Sequence, residues 1–314
     1  MKQGVVFLAA ALSACTLLQA DVTIRYRTEY KVMPALQPLV SNLAKMQGSA
    51  SAISMRGNQA YTTSGNYTQI FDLVKQEVTI LDPAHKTFTV LPVSQLPDAL
   101  AAAMPQMKNL SSAAEQLMAS VKTAVDSKMT GRTAAIQGVQ AEEREITFTM
   151  ELPAPGNGQT SAGARLVMQV WTARPGEALN VPVIRELTGY QNWQKYIMNP
   201  TAILEKITSQ MPGVAASLKP LLEEISRNSA VILRMRIAVH TPMVAMMAQK
   251  MAANGQNAAA IDPDAPLIEV SQEVSELSGA PVDAALFEVP KDFTSVAPAV
   301  LLGGMMHAPQ AGAP

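Results

Sequence analysis

The chain repeatedly alternates apolar and polar residues with period two, and this pattern limits its fold more than any other feature. Val22, Ile24, Tyr26, Tyr30 and Val32 are interleaved with Thr23, Arg25, Arg27, Glu29 and Lys31. Ile146, Phe148, Met150 and Leu152 alternate in the same way, and Leu233, Met235, Ile237 and Val239 are separated by Arg234, Arg236 and Ala238. Successive side chains of a strand point to opposite faces, so such runs predict half-buried β-strands with one dry and one wet face. Strands of this kind belong in antiparallel sheets. A slip of one residue would turn each dry set to water. The apolar residues of each run are therefore expected to point inward together, and Arg25, Arg27, Thr147, Arg234 and Arg236 outward.

Ala50 to Leu91 reads as a β-meander, with turns at Arg56-Gly57-Asn58, Ser64-Gly65-Asn66 and Asp82-Pro83-Ala84-His85. Thr133 to Gln140 and Glu145 to Leu152 predict a hairpin, Pro153 to Gly163 a loop, and Leu166 to Thr172 a strand. Helical spacing is expected after Pro34 (Leu36, Leu39, Val40, Leu43, Met46), from Leu110 to Val125, from Ala202 to Ile207, and at Val214, Leu218, Leu221, Leu222 and Ile225. The strands show no βαβ rhythm. The expected fold is α+β, mainly β: a curved antiparallel sheet covered by amphipathic helices in one domain over residues 21–297. Residues 298–314 are Ala/Pro/Gly-rich and predict a flexible tail.

Met1-Lys2-Gln3, the apolar run from Val5 to Leu18, and Gln19-Ala20 before Asp21 have the layout of a secretory signal peptide over residues 1–20. The run is shorter than the roughly 20 residues of a spanning helix, and no later stretch qualifies, so the mature chain is expected to lack a transmembrane span. Cleavage after Ala20 would give a periplasmic or secreted protein. Leu12-Ser13-Ala14-Cys15 also resembles a lipobox, and lipidation of Cys15 would make an outer-membrane lipoprotein. Cys15 is the only cysteine, so no disulfide within the chain can stabilise the fold. The charges balance at 24 Lys+Arg against 25 Asp+Glu, which excludes the basic surplus that nucleic-acid binding requires.

The motifs of zinc proteases, P-loop enzymes, Rossmann dinucleotide sites and serine-hydrolase elbows are absent from the sequence. Asp82 and His85 share a turn but have no nucleophile beside them. Asp262 and Asp264 lack the glycine and further acids of a calcium loop. Neither an enzyme nor a cofactor is expected. Methionine is over-represented, 19 residues against 6 phenylalanines. Met243, Met246, Met247 and Met251 follow His240 at spacings that share one helical face. Thioethers favour Cu(I), but a flexible apolar side chain more commonly fills irregular space or lines an adaptable surface, so these four are read as a lid or interaction segment. The arginines of the alternating strands suit a solvated face or, alternatively, an anionic lipid headgroup.

Met55-Arg56-Gly57, the stretch Tyr67-Thr68-Gln69-Ile70-Phe71-Asp72, and Leu81-Asp82-Pro83 with Lys86-Thr87-Phe88 resemble exported bacterial proteins of the DUF4412 type. They are also similar to the lipoprotein-carrier class of LolA, LolB and LppX. Gln169-Val170-Trp171-Thr172 and the segment from Phe287 to Phe293 resemble that group's closing segments. The resemblance implies a half-barrel closed by helices around an apolar cavity, holding a lipid or acyl chain without catalysis. On that reading Val22, Ile24, Tyr26, Tyr30, Ile146, Phe148, Met150, Leu233, Met235, Ile237 and Val239 line the cavity. The alternatives are an envelope module that contacts a protein partner and holds no ligand, and a Met/His copper site.

Overall fold

The computed structural model describes residues 21–33, 50–64, 67–103, 120–153, 160–198, 219–221, 223–224, 227, 230–242 and 265–306. Among these residues twelve strands form one sheet: β1 (Val22–Val32), β2 (Ala50–Arg56), β3 (Gln59–Ser64), β4 (Tyr67–Asp72), β5 (Glu77–Asp82), β6 (Thr87–Pro92), β7 (Lys122–Ile136), β8 (Val139–Pro153), β9 (Thr160–Ala173), β10 (Ile232–His240), β11 (Ile268–Ser278) and β12 (Thr294–Ser295). Their order is β12-β6-β5-β4-β3-β2-β1-β11-β10-β9-β8-β7, so the sheet stays open. Every pair is antiparallel except β12–β6. The fold is thus mainly β, as the alternating runs require. Helices α1 (Leu96–Ala103), α2 (Glu177–Asn180), α3 (Pro182–Met198) and α4 (Pro298–Met306) are inserted between strands or follow them.

The meander is held by local chemistry. At the β4–β5 turn the carboxylate of Asp72 accepts the N–H groups of Val74 and Lys75, and at the β5–β6 turn Asp82 accepts those of Ala84 and His85. Each turn closes on a left-handed residue, Gln76 or Lys86. The β7–β8 hairpin closes through Gln137 and Gly138, both at positive φ. That backbone matches the right-handed strand twist of a two-residue hairpin and favours glycine.

Across β1 to β6 and β11 the register puts one dry set on one face. Val22 pairs with Met55, Met55 with Ala60, Ala60 with Phe71, Phe71 with Val78 and Val78 with Leu91. Side chains from three helices join them in one buried cluster: Leu96 and Ala103 of α1, Ile184, Leu187 and Tyr190 of α3, and Leu301 and Leu302 of α4. Phe71, Tyr190 and Trp193 form an aromatic trio, with Tyr190 and Trp193 stacked at 6.1 Å. On the opposite face, residues after β11 lay Val282 and Phe287 over Ile70 and Leu81. Asp21 accepts the Val282 N–H at 2.7 Å, and Arg56 donates to the Val282 carbonyl at 3.2 Å. The chain then adds β12 to the β6 edge.

Several expectations change. The helix expected from Leu110 to Val125 overlaps strand: β7 begins at Lys122, because Thr123, Val125, Ser127 and Met129 alternate as well and pair with β8. The loop expected to Gly163 gives way to β9 at Thr160. The tail expected from Pro298 is helical to Met306 and buries Leu301 and Leu302; residues 307–314 lie outside the described residues. So do residues 1–20 with Cys15, the helical pattern after Pro34, Ala202 to Ile207, and Met243, Met246, Met247 and Met251.

Candidate functional site

β7 to β10 present a second apolar cluster, separate from the first. Ile146 and Phe148 of β8, Met168 and Val170 of β9 and Leu221 are buried in it. Val125, Met150, Leu166, Ile232, Met235 and Ile237 pack against these and are only partly buried. Register accounts for the grouping: Ile146 pairs with Met168, Phe148 with Leu166, Met168 with Ile237, and Val170 with Met235. The sheet therefore carries an apolar face here whose outer side chains stay partly exposed.

The eleven residues expected to share one lining fall into different places. Val22, Ile24 and Leu233 are 0% exposed and belong to the first cluster, with Tyr26 packed against it. The Tyr26 hydroxyl donates to the Ile232 carbonyl at 3.3 Å, and burial pushes its pKa up. Ile146, Phe148, Met150, Met235 and Ile237 belong to the second cluster. Tyr30 and Val239 are half-buried and join neither. The register of β10 against β9 shifts between Ile232 and Arg234. This bulge puts Leu233 in the first cluster and Ile232 in the second, and an extra residue of that kind breaks strict alternation.

A second irregularity lies on β8. Its buried residues are odd-numbered at Val139, Ala141 and Glu143, then even-numbered at Ile146 and Phe148. The first set packs with the first cluster or the bulge, the second with the second cluster. β7 bulges opposite this point, between Met129 and Thr133. Glu143, 1% exposed, fills the bulge; Thr130 donates to its carboxylate at 2.6 Å and Arg132 forms an ion pair with it. A buried carboxylate requires such partners, and here it fixes where the strand changes its dry face.

The second cluster has a polar border. Arg144 contacts Ser127 at 3.4 Å and Glu224 at 3.3 Å, and Arg227 reaches Glu224 at 3.0 Å. The Ser127 hydrogen bond, aided by Arg227 and Arg144, holds the Glu224 carboxyl below the usual glutamate range despite burial. Leu221 and Glu224, three residues apart, thus dock one helical face onto β7–β9. On the reverse face Lys128 and then Gln169 lower the Glu145 pKa.

The arginines of the alternating strands lie opposite the apolar sets and are already paired. Arg25 meets Glu276 at 2.9 Å, Arg27 meets Glu29 at 3.5 Å, Arg234 meets Glu273 at 2.8 Å, and Arg236 forms a short contact with Glu269. Arg234 also lies 5.6 Å from the centre of the Trp171 ring. An open cleft of about 510 Å³ runs over this charged face, and a smaller one of about 230 Å³ lies between Tyr61, Ile70, Leu81 and Phe293. Because carboxylates occupy these guanidinium groups, the arrangement fits a solvated ladder better than an anion site. His85 Nδ1 lies 2.7 Å from Asp82 on an exposed turn. Among the described residues, no group of three or more His, Cys, Asp and Glu side chains could hold a metal ion, and no helix is long and apolar enough to cross a membrane. No protein-family model matches the chain, and no curated protein matches it.

The sequence reading missed α3 and its Tyr190 and Trp193. The signal was present: Pro182 suits the first helical position, and Ile184, Leu187 and Tyr190 recur every three residues.

Proposed function

We propose that this chain is an exported envelope protein that shelters an acyl chain, or a comparable hydrophobic ligand, on the β7–β10 face without catalysing a reaction. The observation behind this reading is the second cluster, where Met150, Leu166, Met235 and Ile237 share one face and stay only partly buried. Apolar area left half open gains roughly 25 cal/mol per Å² when a ligand removes it from water. Met150, Met168 and Met235 can repack around tails of different shape. Curvature of the open sheet into a half-barrel, with the segment around Leu221 as part of its lid, would deepen the face into a cavity. The leader-like residues 1–20 support export to the periplasm or beyond, or to the outer membrane if Cys15 is acylated. The resemblance of the meander to lipoprotein carriers supports the ligand class. Half-open apolar surface also marks protein contact sites, so an envelope partner is the second reading.

The test is uptake of a labelled fatty acid or phospholipid by delipidated protein. Saturable binding that Ile237→Asp abolishes in a folded chain is expected. Absence of uptake overturns the ligand reading, and capture of an envelope protein through the same residues would replace it with the second.

A further inference from the structure

The sheet's two edges are treated differently. The β6 edge is covered by β12, while among the described residues β7 is the outermost strand at the other end. β7 is 15 residues long, contains no proline, and has exposed side chains at Lys122, Ala124, Asp126 and Lys128. An outer strand presents backbone N–H and C=O groups that can pair with another strand. The bulge between Met129 and Thr133 ends its regular stretch, so the template is short, about Lys122 to Met129.

We propose that this edge pairs antiparallel with the β7 edge of a second copy, on a two-fold axis at Ser127. A perpendicular two-fold keeps corresponding faces of the copies together, so directly opposed residues must have the same parity. Axes at Lys128 or Asp126 would oppose each of these charges to itself, and an axis at Val125 would set Lys122 against Lys128. The axis at Ser127 places Asp126 of each copy opposite Lys128 of the other, whose ammonium lies 3.1 Å from Glu145 in its own copy and would bridge the two carboxylates. It also opposes Val125 to Met129, a residue 47% exposed in the single copy. Opposite charges and apolar pairs across adjacent strands stabilise pairing, and like charges weaken it. An axis at Ala124 also matches Lys122 with Asp126 but leaves Met129 uncovered, so it serves as the competing register. Pairing of one short strand removes less than the ~1,200 Å² of a standard interface, which makes the dimer concentration-dependent.

Sedimentation velocity of the full chain over a concentration series tests the association. A two-copy species that grows with concentration is expected, and Asp126→Lys should weaken it about tenfold, since two attractive pairs become repulsive. A single-copy mass throughout the series overturns the proposal. The register is tested by oxidative cross-linking of Ser127→Cys and Ala124→Cys, each with Cys15→Ser so that one thiol remains. At the axis the two Cα atoms lie about 4.5–5.5 Å apart, within disulfide reach. The Ala124 positions would be offset by six residues, about 20 Å. Rapid dimer formation by Ser127→Cys alone is expected. Cross-linking of Ala124→Cys as fast or faster overturns the Ser127 axis, as does failure of Ser127→Cys to cross-link, and this result stands even if Asp126→Lys does not fold.

Discussion

The two halves of the sheet use one alternating code and reach different ends. In β1 to β6 the dry face meets side chains from α1, α3 and α4; Val22, Ile24 and Ala60 are 0% exposed and Phe71 is 1%. In β7 to β10 five of the cluster's described side chains are buried and six only partly buried, against twenty-three buried and fourteen partly buried in the first cluster. A period-two strand thus specifies which residues seek cover but does not specify what covers them. The cover comes from elsewhere in the chain, and among the described residues it is more complete over the first cluster than over the second.

The largest expected effect is at the packed half. Ile24→Asp puts an unpaired carboxylate where no water reaches and should unfold the protein, at a cost of several kcal/mol, roughly. Ile237→Asp, at a half-buried position with access to water, should cost about 1–2 kcal/mol and leave a folded chain. Thermal unfolding of the two variants measures the contrast directly, and equal losses would break it.

Leu302→Ala removes a 1% exposed side chain of α4 from the first cluster and should lower stability by about 2–4 kcal/mol. A loss below about 0.5 kcal/mol would return α4 to the flexible tail that its sequence suggests.

Acid should loosen the second half through Glu224. Its folded pKa lies below the ordinary 4.5. The stabilisation is therefore complete above that value and fades as pH falls through the lower folded value. Glu224→Gln should cost about 1–2 kcal/mol at neutral pH and flatten the acid limb of the stability curve. Hydrogen exchange would show Glu224→Gln reducing the acid-induced loss of protection in β7–β9 while leaving unchanged that at the β4–β5 turn, where Asp72 is also held below its ordinary range; an equal effect on both would contradict the separation.

The smallest effects belong to the wet face. Thr147→Asp should cost less than about 1 kcal/mol, part of it from Asp126 directly opposite. Arg236→Asp should cost more, because it removes one of the two cations, with Lys31, that pair with the 8% exposed Glu269 and adds a second carboxylate beside it. Chemical denaturation of both variants gives their order.

The strands were legible because alternation is a local property. Val22 to Val32, the meander and Ile232 to His240 could each be read from their own residues. The helices were less so. Pro298 to Met306 contains Gly303 and Gly304, which weaken a helix by about 1 kcal/mol each, and only the burial of Leu301 and Leu302 overrides that local preference. Lys122 to Met129 satisfies both periods, helical through Val121 and Val125 and extended through Thr123, Val125 and Ser127, until the Gln137-Gly138 hairpin selects the strand. The split of the expected lining was not readable at all. It depends on the bulge at Ile232–Arg234 and on the change of dry face near Glu143, which exist only once β9 and β7 are in register beside their neighbours.

Native mass spectrometry of protein purified from its native source tests the central claim most directly, that the partly exposed β7–β10 face holds a hydrophobic ligand while the β1–β6 face is packed with side chains. The predicted result is a folded chain carrying an added acyl-lipid mass, lost in Ile237→Asp and kept in Thr147→Asp. A wild-type chain that flies bare under conditions that preserve its fold would contradict it.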